Sequence, residues 1–317
     1  MMSAVAAEYR VTPPIIVTGS RGFTGRHLVE ILRGEGIPVV GVDRTPTEHG
    51  DDVQVDLQKS ETVRELFRDV RPGRIYHLAG IVREPVDEAG RRDLLDANLG
   101  STMSVLEASM GLPGPVRVLV TSSCAVYGVP ERADGRVAES DPIAPVLFYG
   151  VTKASQELLA ASYQRRGGPD VLITRAFNVT GPGESDAFLI GTVAHQMGTG
   201  GAAIRLGNLD RERDFLDVRD AVSAYRVVMD RGQPGMAYNV GSGRPIVLRD
   251  LVSLVMQVAG QEREVIFDVS KIRSIDVPRI HADVTRLAGL GWTPCRDLAT
   301  TVRDTLEHGR HIEGCST

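Results

Sequence analysis

The chain has 317 residues, 42% hydrophobic and 24% charged, enough for one large domain or two fused lobes around a sizeable core. A formal net charge of −5, without a basic stripe, argues against nucleic acid as a partner, and no apolar run approaches the roughly 20 residues of a membrane span. Three widely spaced cysteines, Cys124, Cys295 and Cys315, fit neither a disulfide framework nor a zinc site. Residues 1–13 lack the basic and apolar regions of a signal peptide and read as a flexible arm, so a reducing cytoplasm is the expected setting and no metal is expected.

Ile15-Ile16-Val17 is a buried-strand pattern that runs directly into Thr18-Gly19-Ser20-Arg21-Gly22-Phe23-Thr24-Gly25. A helix follows with Leu28, Val29, Ile31 and Leu32 on one side. Strand, glycine turn and helix are the context in which glycines let the backbone approach a pyrophosphate and the helix N-terminus stabilises it. A second strand, Val39 to Val42, ends at Asp43, the expected distance downstream for an acid that binds a ribose. Asp43 suits a free 2′-hydroxyl. Arg21 and Arg44 pull the other way, because guanidinium pairs well with a 2′-phosphate, and they tip the expectation slightly toward NADP(H) over NAD(H).

Val53 to Val55 leads to Asp56-Leu57, and a helix spans Glu61 to Val70. The next strand, Arg74 to Leu78, ends in Ala79-Gly80, small enough for a cofactor to lie against the backbone. Asp87 to Met110 reads as one long helix carrying Asn98. The strand Val116 to Val120 then delivers Ser123, followed by Cys124, Ala125, Val126, Tyr127 and Gly128. This strand–helix alternation implies an α/β fold, a doubly wound parallel (Rossmann) sheet, with its ligand site beyond the carboxyl ends of the strands.

Tyr149-Gly-Val-Thr-Lys153 opens the next helix. Positions four apart share a helical face, and a nearby cation favours phenolate, so this pair is a candidate acid/base near neutral pH. Ser123, at a strand end, can reach the same crevice. After the strand Val171 to Thr174 comes Arg175 to Gly183. From there strict alternation is lost: a helix near Phe188 to Met197, strands near Ile204 and Phe215, and helices at Val218 to Met229 and Leu248 to Val258. The expected division is a dinucleotide-binding domain over 14–178, with segments near 215–242 contributing, and a smaller α/β lobe, mainly for substrate, over 179–317.

Together these residues resemble the extended short-chain dehydrogenase/reductase family, the nucleotide-sugar epimerases, dehydratases and reductases. The resemblance runs from Ile15 to about Arg310. It implies that Tyr149 is the acid/base, that Lys153 lowers its pKa and holds the nicotinamide ribose, and that Ser123 hydrogen-bonds the reacting oxygen. It implies cofactor contacts from Gly19, Arg21, Gly22, Phe23, Thr24, Gly25, Asp43, Arg44, Asp56, Leu57, Leu78, Ala79, Gly80, Asn98, Tyr149 and Lys153. Substrate contacts are implied at Ser123, Asn178, Leu206, Arg213, Arg273 and Asp276, arginines suiting a diphosphate through fork-like hydrogen bonds.

The C-terminal third is similar to the branch of the family that reduces GDP-4-keto-6-deoxymannose. Its 4,6-dehydratases carry Asp-Glu after the catalytic Ser/Thr; here Cys124 and Ala125 stand there, so elimination of water is not expected. Reduction of a 4-keto-6-deoxyhexose at C4 is the leading expectation. A 4-epimerase with tightly held NAD and a non-catalytic dinucleotide-sensing protein are the alternatives. A homodimer is expected, through helices Asp87–Met110 and Phe148–Arg166, with Leu94, Leu95, Leu106, Ala154, Leu158 and Ala161 on the joining faces.

Overall fold

A computed structural model of the protein describes residues 13–46, 50, 52–271 and 277–314, with side chains as far as residue 309. Arg273 and Asp276, and all but the last residue of the expected N-terminal arm, lie outside the described residues.

The chain begins with β1 (Ile15–Thr18), α1 (Phe23–Gly34), β2 (Val39–Asp43), β3 (Val53–Gln54), α2 (Ser60–Val70) and β4 (Arg74–His77). Next come α3 (Glu88–Leu95), a π-helical turn (Asp96–Gly100), α4 (Ser101–Met110), β5 (Arg117–Ser123), β6 (Arg136–Val137), α5 (Phe148–Arg165) and β7 (Asp170–Ala176). The remainder is β8 (Asn178–Thr180), α6 (Leu189–Gly198), β9 (Ala203–Leu206), β10 (Glu212–Asp217), α7 (Val218–Arg231), β11 (Ala237–Val240), β12 (Pro245–Val247), α8 (Leu248–Ala259), β13 (Glu264–Phe267), β14 (Arg279–Ala282), α9 (Thr285–Ala288) and α10 (Leu298–Gly314).

Seven strands pair in the order β11-β7-β5-β4-β1-β2-β3, every pairing parallel. Helices cover both faces, so the strands are apolar on both sides rather than alternating: Ile15, Ile16 and Val17, Val118, Leu119 and Val120, and Val171, Leu172 and Ile173 are all buried. The chain moves from β1 outward to β2 and β3, then returns to the other side of β1 for β4. The order therefore reverses beside β1, which opens a crevice at the carboxyl ends of β1 and β4. The doubly wound expectation is met.

The second part of the chain, with β6 from the first, builds smaller sheets. One has the order β12-β10-β14-β6, with β8 beside β10, and β9 pairs with β13. Their core lies under α6, α8 and α10 and includes Ile190, Val193, Ile204, Leu251, Val255 and Val302. Among the described residues no helix is long and apolar enough to cross a membrane.

Two expectations need correction. The helix read over Asp87–Met110 is interrupted: its middle widens into the π turn Asp96–Gly100, where hydroxyls compete for backbone carbonyls. Ser101 donates to the Ala97 carbonyl (2.5 Å) and Thr102 to that of Asn98 (2.6 Å). Of the apolar residues expected on the joining faces, Leu94, Leu106 and Ala154 belong to the chain's own core, Ala161 is half-buried, and Leu95 and Leu158 are exposed; Met103, Met110 and Val151, not among those expected, are exposed on the same helices.

Candidate active site

The glycine turn after β1 is built on close approach. Gly19 has φ +67°, and a Cβ there would lie 2.8 Å from the Ala79 nitrogen. At Gly25 a Cβ would lie 2.0 Å from the Gly19 carbonyl oxygen. No side chain caps α1 and no acidic residue occupies its first turn, so the positive end of its dipole remains for an anion. Phe23 and Thr24 stand half-buried in that turn. The turn, with half-buried Leu78 and Ala79 and exposed Gly80 opposite, fits a dinucleotide pyrophosphate.

Asp43 at the end of β2 is committed to its surroundings. One carboxylate oxygen accepts from the Thr45 amide and hydroxyl (3.1 and 2.9 Å), the other from the Arg21 amide (3.2 Å). The Arg21 guanidinium donates to the Pro46 carbonyl, and Arg44 is exposed beside it. Asp56 is exposed and accepts from the Gln58 amide (3.1 Å), whereas Leu57 is core. Asn98, in the π turn, is fully engaged: its carbonyl oxygen accepts from the Ile81 amide (2.8 Å), and its amide donates to the Ile81 carbonyl (3.1 Å) and the Thr152 hydroxyl (3.0 Å). It thereby fixes the backbone just beyond Gly80 and ties it to α5.

β5 reaches Ser123, whose hydroxyl caps the following turn by accepting from the Ala125 amide (3.2 Å). The start of α5 packs tightly on that turn, since a Cβ at Gly150 would lie 2.5 Å from the Ala125 carbonyl oxygen. Ser123 and Tyr149 are thereby brought side by side at the end of β5. Lys153 is buried; its ammonium donates to the Thr121 carbonyl (3.0 Å) and lies 5.9 Å from the Tyr149 ring centroid.

The electrostatics differ from the sequence expectation. Burial holds the Tyr149 phenol above its ordinary pKa, with the neighbouring Ser123 hydroxyl opposing. Burial also lowers Lys153 to about 8, against the pull of Glu157. Desolvation disfavours the charged form of each group, and it outweighs the expected lowering of the phenol by the ammonium. Cys124, at the same turn, is pushed up to about 11 by burial, although the Arg213 guanidinium pulls it down.

From the second lobe, Asn178 donates to the Asp214 carbonyl (2.9 Å), and its strand pairs with β10, which carries Arg213. Asp214 is wholly buried and accepts from Ser242, Gly243 and Ala282, holding the strand beside Arg213. The Leu206 side chain packs into the core of this lobe.

The NAD dependent epimerase/dehydratase family model matches residues 15–241. The chain belongs to that family. It is 31% identical over 290 residues to the GDP-6-deoxy-D-mannose reductase of Pseudomonas aeruginosa, covering 90% of this chain and 93% of the relative. The structure of RMD from P. aeruginosa complexed with NADPH superposes with a TM-score of 0.83 at 30% identity, over 95% of this chain and 99% of that one. The UDP-glucose 4-epimerase of Thermus thermophilus in complex with NAD gives 0.84 at 26% identity, over 94% and 99%. Family membership accords with the enzyme class and chemistry expected from sequence, NAD(P)-dependent modification of a nucleotide-linked sugar.

Two features of this family member escaped sequence reasoning. Glu157, one turn beyond Lys153, forms a buried pair with Arg175 (2.7 Å) and accepts from the Ser122 hydroxyl (2.5 Å), and Arg175 also donates to the Tyr127 hydroxyl (3.0 Å). The spacing Tyr149, Lys153, Glu157 was the available signal. The other is Glu84, which accepts from the Phe148 and Tyr149 amides (2.9 and 3.0 Å). Nothing local in sequence connects a loop residue to a helix so far along the chain.

Proposed function

We propose that the protein reduces a nucleotide-linked 4-keto-6-deoxyhexose at C4, with Tyr149 as the proton donor. The observation that carries this reading is the meeting of Ser123, Tyr149 and Lys153 at the end of β5, with the phenol held in its protonated form. A bound nicotinamide dinucleotide supplies hydride. The Ser123 hydroxyl and the phenol together hold the ketone oxygen, and the phenol passes its proton to that oxygen as it becomes a hydroxyl. The Lys153 ammonium stabilises the phenolate left behind. Elimination of water needs a base near C5; the residues after Ser123 offer a thiol with its pKa raised to about 11 and an alanine, which supports reduction over dehydration.

In this reading residues 14–178 hold chiefly the dinucleotide and 179–317 chiefly the sugar nucleotide, with Asn178 and Arg213, and Arg273 and Asp276 from outside the described residues, toward the diphosphate and its riboses. Arg21 and Arg44 give NADP(H) a modest preference, because the Asp43 carboxylate is already turned onto Arg21 and Thr45. The protein works as a cytoplasmic homodimer. Tyr149→Phe and Lys153→Ala should each lower turnover by about 10²–10⁴-fold, with sugar-nucleotide affinity measured calorimetrically little changed. Near-normal turnover in both variants would contradict the assignment.

A further inference from the structure

We infer that Glu84 is a positioning residue for proton transfer: from the loop after β4 it holds the first turn of α5, and with it the Tyr149 phenol, in register with Ser123. This rests on Tyr149 acting as proton donor.

The first amides of a helix have no partners within it, and α5 begins after Leu147, which offers no side-chain cap. Glu84 fills that role from the 81–87 loop. One carboxylate oxygen takes the Phe148 amide at 2.9 Å and the other the Tyr149 amide at 3.0 Å. The negative charge also complements the positive end of the helix dipole. The loop that carries Glu84 is itself fixed at both ends. Ile81 is gripped through both backbone groups by Asn98, and Asp87 caps α3 by accepting from the Gly90 amide (2.7 Å).

A local cap would steady α5 alone. Glu84 instead joins it to the stretch that leaves Gly80, where the cofactor is expected to lie against the backbone. The fit leaves little slack, because the first turn already touches the Ser123–Ala125 turn through Gly150. Release of the first turn therefore changes the Ser123–Tyr149 geometry before it disturbs the core. Glu84 is exposed, so its removal leaves the core packing intact.

The test compares wild type, Glu84→Ala, Glu84→Gln and Tyr149→Phe in reduction of GDP-4-keto-6-deoxymannose by NADPH, with amide hydrogen exchange at Phe148 and Tyr149 followed in the same proteins. Glu84→Ala should speed exchange at both amides and lower kcat roughly 10–100-fold, the scale of a small misplacement of a reacting group, with KM for both substrates within about twofold. Glu84→Gln, whose carbonyl oxygen still accepts one amide, should recover much of the lost kcat. Wild-type kcat in Glu84→Ala, or unchanged exchange, would overturn the inference, as would a loss confined to KM. A Tyr149→Phe variant that turns over normally would instead defeat the proton-donor assignment itself.

Discussion

Burial acts on Tyr149 and Lys153 in opposite senses, because the charged form of a phenol lacks its proton and that of an amine carries it. The phenol is held neutral, as the proposed proton donor requires, while Lys153 falls to about 8. Glu184 shows the same physics in a carboxyl. It accepts from the Thr180 hydroxyl and the Gly191 amide, yet burial raises it from 4.5 to about 7. Its folded pKa lies above its unfolded one, so the native state binds the proton more tightly and stability falls as pH rises from about 4.5 to about 7. At most about 3 kcal/mol is lost across that window. Glu184→Gln cannot titrate, and its unfolding free energy should lack that part of the slope. Parallel pH–stability curves for variant and wild type would refute this.

At the level of elements, the π turn joins the loop after β4 to α5, which carries the proposed proton donor. Asn98→Ala would strip three hydrogen bonds at a buried position. At about 1 kcal/mol each, with the penalty for stranded partners added, it should cost about 3–5 kcal/mol in denaturant unfolding and weaken dinucleotide binding. Unchanged stability would show that water replaces the side chain without loss. Asn98 also marks where sequence stops being informative. β1, β5 and β7 were legible because strands buried on both faces give continuous apolar runs, and Gly19, Gly22 and Gly25 because a tight turn excludes side chains. The π turn was not, since hydroxyls at Ser101 and Thr102 leave the apolar spacing of a helix almost undisturbed. The Glu84 cap and the Arg175–Glu157 pair depend on partners brought together only by the sheet. The protonation of Tyr149 differs from expectation for a related reason: spacing places a cation nearby but says nothing of the desolvation that both groups meet.

At the level of the whole molecule, several large apolar side chains stay exposed on the helices α3, α4 and α5. Leu95 (37% exposed), Met103 (42%) and Met110 (43%) line one side of α3 and α4, and Val151 (42%) and Leu158 (67%) lie on α5. Such residues on α5 and on α3 and α4, which run on into each other through the π turn, suit a second copy meeting them in a two-fold four-helix arrangement. Sedimentation at micromolar concentration should give a dimer, and Met103→Glu with Leu158→Glu a folded monomer; a monomeric wild type would refute the proposed dimer. Reduction at C4 can be followed by mixing the protein with GDP-4-keto-6-deoxymannose and either NADPH or NADH and observing reduced nicotinamide and the sugar by NMR. One equivalent of reduced cofactor should be consumed per C4 alcohol formed, faster with NADPH at limiting cofactor. A protein that keeps NAD⁺ through purification and inverts C4 of a nucleotide sugar with no net oxidation of added cofactor would contradict it.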